Sequence, residues 1–313
     1  MAGPAFQVEE VPYPAQHAAL HRVRQRVFVD EQGVPATLEV DALDPLSVHV
    51  LARDSGGQPI GAGRLTPDGR VGRMAVLAGW RGRGVGEAVL LALVAAARAR
   101  GWREIALHAQ LPARAFYARQ GFLPDGDLFE EAGIAHQHMR RVLDGAATIT
   151  TFDEAVAITT ALVHRARRHL WIHSRQLDPG LLDAAPVMAA LRRFATARHD
   201  KQACLIVHDA TAIAQGGSPL PGLLQRLPSV FRVRQVADPV DRAVASACLV
   251  NDSGDYYFRL AGHRVDGEAG LDQPARSRPL QDGLQRVWER SRECTELRRS
   301  ACSSRRVPEP VWE

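Results

Sequence analysis

Apolar residues in the first half of the chain follow two rhythms: short continuous or alternating runs, and longer stretches that repeat every three or four positions. The short runs suit strands and the longer stretches suit helices with one buried face. They predict a strand over 5–11, a helix from after Pro14 through Val27, and strands over 48–53, 60–65 and 71–77. Ser55-Gly56-Gly57-Gln58-Pro59 and Thr66-Pro67-Asp68-Gly69 are turn sequences between the last three, which therefore read as an antiparallel meander. A glycine-rich stretch at 81–86 opens a long helix that ends near Arg100, with Gly101 as its stop. A strand over 105–109, a helix over 111–120 closed by Gly121, and a strand over 135–142 complete this half.

The small, polar stretch around 144–151 breaks the pattern, which then restarts. Helices are expected over 152–168 and 187–197, with buried strands over 170–173 and 203–207. After Gly216-Gly217-Ser218-Pro219 come a short helix, strands over 230–236 and 245–250, a hairpin turn at Asp252-Ser253-Gly254-Asp255 and a closing helix over 280–299. No internal repeat relates the halves. Strands alternating with helices define an α/β chain, and 313 residues exceed one ordinary core. The expected organisation is a first domain over 1–145, a linker over 146–151 and a second α/β domain over 152–313.

Composition narrows the function classes. With 46% hydrophobic and 24% charged residues, the chain has the balance of a soluble globular protein. The first residues lack a basic segment followed by an apolar one, so no secretory signal is expected. The longest apolar run, 88–97, is half of the roughly 20 residues that a membrane span requires. Cys204, Cys248, Cys294 and Cys302 show no C-x-x-C spacing, which argues against a zinc ribbon or a disulfide framework and for a reducing cytoplasm. The net charge of +4 invites a nucleic-acid reading, but Lys201 is the sole lysine among 39 basic residues and the arginines are dispersed. Compositional bias explains that better than a basic patch.

Trp80-Arg81-Gly82-Arg83-Gly84-Val85-Gly86-Glu87 follows a strand and opens a helix. Its glycines permit a tight turn, and the unpaired N–H groups of the helix start converge on a spot that favours an anion such as a pyrophosphate. Taken alone, the turn is equally consistent with an ordinary strand–helix connection. No Gly-Lys-Ser/Thr follows, which excludes a P-loop, and the antiparallel strands before it disfavour a dinucleotide-binding βαβ unit.

Arg81-x-x-Gly84-x-Gly86 resembles the acyl-coenzyme A signature of the GNAT acetyltransferases. Their second block is matched by Ala115-Phe116-Tyr117-Ala118-Arg119-Gln120-Gly121-Phe122. The runs 24–32, His108-Ala109-Gln110 and 130–136 look like the ElaA-type branch. The resemblance, covering nearly all of 5–142, implies a mixed sheet with flanking helices and acetyl-coenzyme A as co-substrate. It places the pyrophosphate on Arg81, Gly82, Arg83, Gly84, Val85, Gly86 and Glu87, and the pantetheine arm along Met74, Ala75 and Val76. It makes Tyr117 the general acid, against the plainer reading that Tyr117 packs beside Phe116. The general base stays open between Glu31 and His108. His136 and His138 alternate as metal ligands would, but a third ligand is missing, so no metal is expected.

The second half more faintly resembles a phospholipase D-like domain, through 172–178, 189–192, 204–207 and 223–229. That superfamily acts through His-x-Lys-x-x-x-x-Asp. Here His199-Asp200-Lys201 is followed by Ile206 in place of the aspartate, and the expected position reads Val244, Ser246 and Asn251. A non-catalytic scaffold, dimerisation surface or ligand sensor is therefore expected. The whole reads as an N-acyltransferase acting on a small-molecule or peptide amine; the alternative is an acyl-coenzyme A-binding regulatory protein without turnover.

Overall fold

The computed structural model describes residues 5–131, 133–197, 200–294 and 297. Ala132, His199 and Cys302 lie outside the described residues. The chain divides into two compact units after Gly145. Among the described residues, no helix is long and apolar enough to cross a membrane.

The first unit is built on β1 (Phe6–Val11), β2 (Val48–Asp54), β3 (Pro59–Leu65), β4 (Arg70–Val76), β5 (Glu104–Gln110), β6 (Leu123–Glu131) and β7 (Ile134–Val142), in the order β1-β2-β3-β4-β5-β7-β6. Every neighbouring pair is antiparallel except β4 and β5. Helices α1 (Tyr13–Arg24) and α2 (Ala36–Glu39) precede β2, α3 (Val85–Ala99) joins β4 to β5, and α4 (Arg114–Arg119) follows β5. The helix expected to end at Val27 continues beyond α1 as a π-helical turn over Gln25–Glu31. The expected helix over 111–120 is a 3₁₀ turn, Leu111–Ala113, leading into α4.

Both faces of the sheet are covered. Val50 and Ala52 of β2 join the core formed with Val89, Leu90 and Leu93 of α3, while Leu51 between them packs with Leu20 and Val23 of α1. That is the period of two expected of a strand between two helical layers. Gly63 on β3 allows α3 to approach closely, because a Cβ there would lie 2.7 Å from Val89 Cγ1 and 2.9 Å from Leu93 Cδ1.

The second unit carries an eight-stranded sheet. Its strands are β8 (Ala147–Ile149), β9 (His169–Ser174), β10 (Gln202–Val207), β11 (Phe231–Gln235), β12 (Ala247–Asn251), β13 (Tyr256–Arg259), β14 (Gly267–Gly270) and β15 (Arg292–Glu293), ordered β15-β11-β10-β9-β12-β13-β14-β8. Strands β9, β10 and β11 are parallel, and the remaining pairs are antiparallel. The helices are α5 (Phe152–Arg165), α6 (Ala185–Thr196), α7 (Ala210–Gln215), α8 (Leu220–Arg226), α9 (Pro239–Arg242) and α10 (Pro274–Arg290). Trp171, Cys204, Ile206, Cys248 and Val250 pack with Leu284 of α10.

Two expectations need correction here. The stretch read as a linker is part of the second unit, since β8 pairs with β14 and Thr151 caps α5 in a reciprocal capping box with Glu154. The closing helix begins at Pro274, not near Leu280, and ends at Arg290.

Candidate acyl-transfer site

β4 and β5 pair only at Arg70 with Ala106 and Val71 with Leu107. Beyond Val71 the two strands part, so the β5-facing edge of Gly72–Val76 has no partner strand among the described residues. The separation begins where Arg73 and Met74 stand opposite the single residue Gly63, with Arg73 at φ 51°. Such a bulge bends its strand and re-aims the residues after it. A cleft of about 760 Å³ opens on this side, with Met74, His108 and Tyr117 in its wall.

The glycine-rich turn leads from the end of β4 into α3. Gly82 and Gly84 hold φ values of 73° and 85°, a left-handed conformation that residues with a Cβ adopt at a cost. Gly84 is the N-cap of α3 and supplies no side-chain cap. The first helical bond is donated by Ala88 to the Gly84 carbonyl, so the N–H groups of Val85 and Gly86 precede the intrahelical ladder. No atom lies within 4 Å of a Cβ built on Gly82 or Gly84, so the space over the turn is open. Glu87 accepts a hydrogen bond from Gln120 Nε2 at 2.9 Å, tying the start of α3 to the end of α4. Arg83 lies over the Trp80 ring, 5.2 Å from its centroid.

Tyr117, at 9% exposure, is nearly buried and stacks edge-on against Phe116 and Phe122. Its hydroxyl makes no hydrogen bond among the described residues, and burial pushes its pKa up to about 12. His108 sits on β5 across the cleft, with Nδ1 3.0 Å from Glu131 Oε2 and its ring edge-on to Phe129. Glu31, the other candidate base, is outside the cleft wall. Arg81 donates to both of its oxygens, at 2.6 and 2.7 Å, and holds its carboxyl below the usual range. A carboxylate held in that way is a weaker base. Arg81 also donates through Nε to the Val76 carbonyl at 3.0 Å, so its side chain braces β4 while its backbone serves the turn.

His136 and His138 do not converge on a metal. His136 bonds the Ile134 carbonyl, His138 bonds Asp125, and no group of three metal-ligating side chains occurs among the described residues.

One part of the site was invisible to motif reading. Arg24, Glu39, Asp44 and Arg64 are all buried, and they join Asp41 and Arg73 in an ion network through which Glu39, Asp41, Arg64 and Arg73 form part of the cleft wall. Burial alone would raise the pKa of Asp44, but hydrogen bonds from Arg24 and Arg64 outweigh it and hold the carboxyl at about 2. Arg73 also donates to the Glu39 carbonyl at 2.9 Å. The network thus fixes the segment between α1 and β2 against β3 and β4. The one available sequence signal was Arg24, which falls at helical spacing on the face shared by Leu20 and Val23.

A strand edge left open beside an uncapped helix start suits a thioester on a long arm that ends in a pyrophosphate: the arm can lie along the edge and the phosphates can rest on the helix N–H groups. That arrangement defines an acyl-coenzyme A N-acyltransferase. The comparisons agree, since residues 12–143 match the Acetyltransferase (GNAT) domain family. The chain is 40% identical over 124 residues to the uncharacterized N-acetyltransferase YjcF of Bacillus subtilis, covering 38% of this chain and 87% of that protein. It is 33% identical over 132 residues to the UPF0039 protein sll0451 of Synechocystis, covering 40% and 84%. A crystal structure of Escherichia coli ElaA aligns at TM-score 0.40 with 26% identity, covering 44% of this chain and 99% of that one. Through its first unit the chain belongs to the GNAT acetyltransferase family. The phospholipase D-like resemblance finds no support; residues 151–299 match instead a domain of unknown function, DUF7931.

Proposed function

We propose that the first unit transfers an acetyl group from acetyl-coenzyme A to the amine of a small molecule or peptide. The observation that carries this reading is the free edge of β4 beyond Val71, set between the open start of α3 and the Tyr117 cleft. The N–H groups of the 82–87 turn hold the pyrophosphate, and the edge of Met74, Ala75 and Val76 holds the pantetheine arm. An N–H near Val76 donates to the thioester oxygen as negative charge gathers there. The amine nitrogen forms its bond to the carbonyl carbon, the carbon–sulfur bond breaks, and the sulfur takes the proton of Tyr117.

A phenol at about 12 stays protonated at neutral pH. An ordinary thiol lies near 8.5, so in water the transfer would run uphill. The same dry cleft that raises the phenol also penalises the thiolate, which narrows the gap. His108, oriented by Glu131, accepts the proton that the amine loses. Glu31 keeps a bracing role through Arg81.

The motif segments support placement in the ElaA-like branch, and the buried, unbridged Cys204 and Cys248 fit a reducing cytoplasm. The second unit acts as a scaffold, dimerisation surface or sensor.

Thiol release from acetyl-coenzyme A against a panel of small amines, peptides and aminoacyl compounds tests the proposal. An acceptor-dependent rate is expected. Saturable binding of acetyl-coenzyme A without turnover on any acceptor would favour a regulatory acyl-coenzyme A-binding protein instead.

A further inference from the structure

The second unit contains a cavity that acyl transfer does not use. It measures about 330 Å³ and lies where β9 and β10 end and β12 begins. Open α/β sheets take ligands at the carboxyl ends of parallel strands, where the connecting loops diverge. Arg175 follows β9 directly, His208 follows β10 directly, and Arg259 ends β13; all three line the cavity.

The lining is rich in donors and poor in acceptors. Arg175, Arg259 and Arg264 face a single carboxylate, that of Asp178. Asp178 is already engaged, because it accepts from Ser174 Oγ at 2.7 Å and is ion-paired with Arg259. Arg264 pairs at the rim with Asp266 at 2.9 Å. Arg175 is exposed and has no side-chain hydrogen bond or ion pair among the described residues. Arg259, only 6% exposed, is anchored through Nη1 to the carbonyls of Gly262 and Arg264, while its buried Nε has no partner. His208 faces His173, with the two Nε2 atoms 2.8 Å apart, and its own Nδ1 is buried without a partner. When His208 is the acceptor in that pair, its Nδ1 carries a proton that is free to donate.

We infer that this cavity binds a small phosphate monoester. With Arg259 answered by Asp178 and Arg264 by Asp266, the Arg175 guanidinium stands without a counter-charge among the described residues, and the unpartnered Arg259 Nε and His208 Nδ1 lie beside it as donors. A phosphate monoester is an anion with three acceptor oxygens for these three donor groups, whereas a carboxylate offers two. Arginine forks suit that tetrahedral anion. The cavity volume admits a metabolite-sized ligand and excludes a folded partner.

Calorimetric titration of the full chain with glycerol phosphate, with acetate as a control, tests the inference. The monoester should bind saturably and more tightly than acetate. Arg175→Ala, at an exposed side chain that supports no contact of the fold, should weaken binding about tenfold or more. Gly84→Val, at the phosphate-binding turn of the first unit, should leave this affinity unchanged, and His208→Gln should lower it. Absence of saturable binding, equal affinity for acetate, or sensitivity to Gly84→Val without sensitivity to Arg175→Ala would each overturn the assignment.

Discussion

Replacing Asp44 with asparagine keeps the shape of the side chain and removes its charge, and the structure predicts a large loss of stability. Asp44 is fully buried and accepts from Arg24 at 2.9 and 3.0 Å and from Arg64 at 2.7 Å. Both guanidiniums are themselves almost wholly buried, so the variant leaves them short of counter-charge. Removing one member of a buried ion network destabilises by about 3 to 5 kcal/mol. The titration behaviour offers a second route. A carboxyl held at about 2 instead of 3.8 contributes about 2.5 kcal/mol at neutral pH, at about 1.4 kcal/mol per pH unit. Because the folded value is depressed, that contribution is complete above 3.8 and is lost as pH falls towards 2. Both routes reach a sizeable part of a typical domain stability of about 5–15 kcal/mol. Urea unfolding followed by hydrogen exchange of α1 and β3 amides reports on the first unit alone. Wild type should lose stability below about pH 4, and Asp44→Asn should begin lower and lose less. A variant within about 1 kcal/mol of wild type at neutral pH, or one with unchanged acid sensitivity, would refute the reasoning.

Three further outcomes follow from the geometry. Burial, with His208 beside it, lowers His173 from 6.5 to about 4, while Asp241 pulls the other way. The pair therefore folds neutral, and the second unit should lose about 3 kcal/mol as pH falls through that window; amide protection on β9 and β10 that stays constant on acidification would contradict this. Gly84→Val forces a branched residue to φ 85° over the start of α3. Calorimetric affinity for acetyl-coenzyme A should fall about tenfold or more with the fold retained, and unchanged affinity would remove the pyrophosphate from this turn. Glu31→Gln should raise the KM for acetyl-coenzyme A without moving the pH profile, whereas a displaced profile would restore Glu31 as the base.

What could be read from the sequence was local chemistry. The turn from Arg81 to Gly86 announced itself because left-handed backbone needs glycine, and the meander 48–77 because its turns contain Gly and Pro between apolar runs. Strand β6 escaped because Pro124-Asp125-Gly126-Asp127 breaks its alternation; its ladder with β7 skips from Pro124 to Leu128, and much of the strand is exposed. Strand β14, Gly267–Gly270, has no intrinsic strand propensity and exists through its partners β13 and β8. The start of α10 was hidden by Pro279, which stands inside the helix and reads as a breaker. The ion network was illegible for a different reason: Arg24, Asp44 and Arg64 are each separated by 20 residues, and their meeting is a property of the packed sheet.

The most direct test of the account is a single-turnover comparison of Tyr117→Phe with wild type, using acetyl-coenzyme A and an acceptor found in the amine screen. The substitution keeps the ring between Phe116 and Phe122 and removes only the hydroxyl, so stability and cofactor affinity should change little. A positioned acid contributes about 10²-fold or more, and single-turnover conditions prevent slow product release from hiding the loss. The account predicts a fall of that order in the transfer step. A phenylalanine variant that transfers acetyl at the wild-type rate would show that Tyr117 only packs and that the thiolate takes its proton from elsewhere.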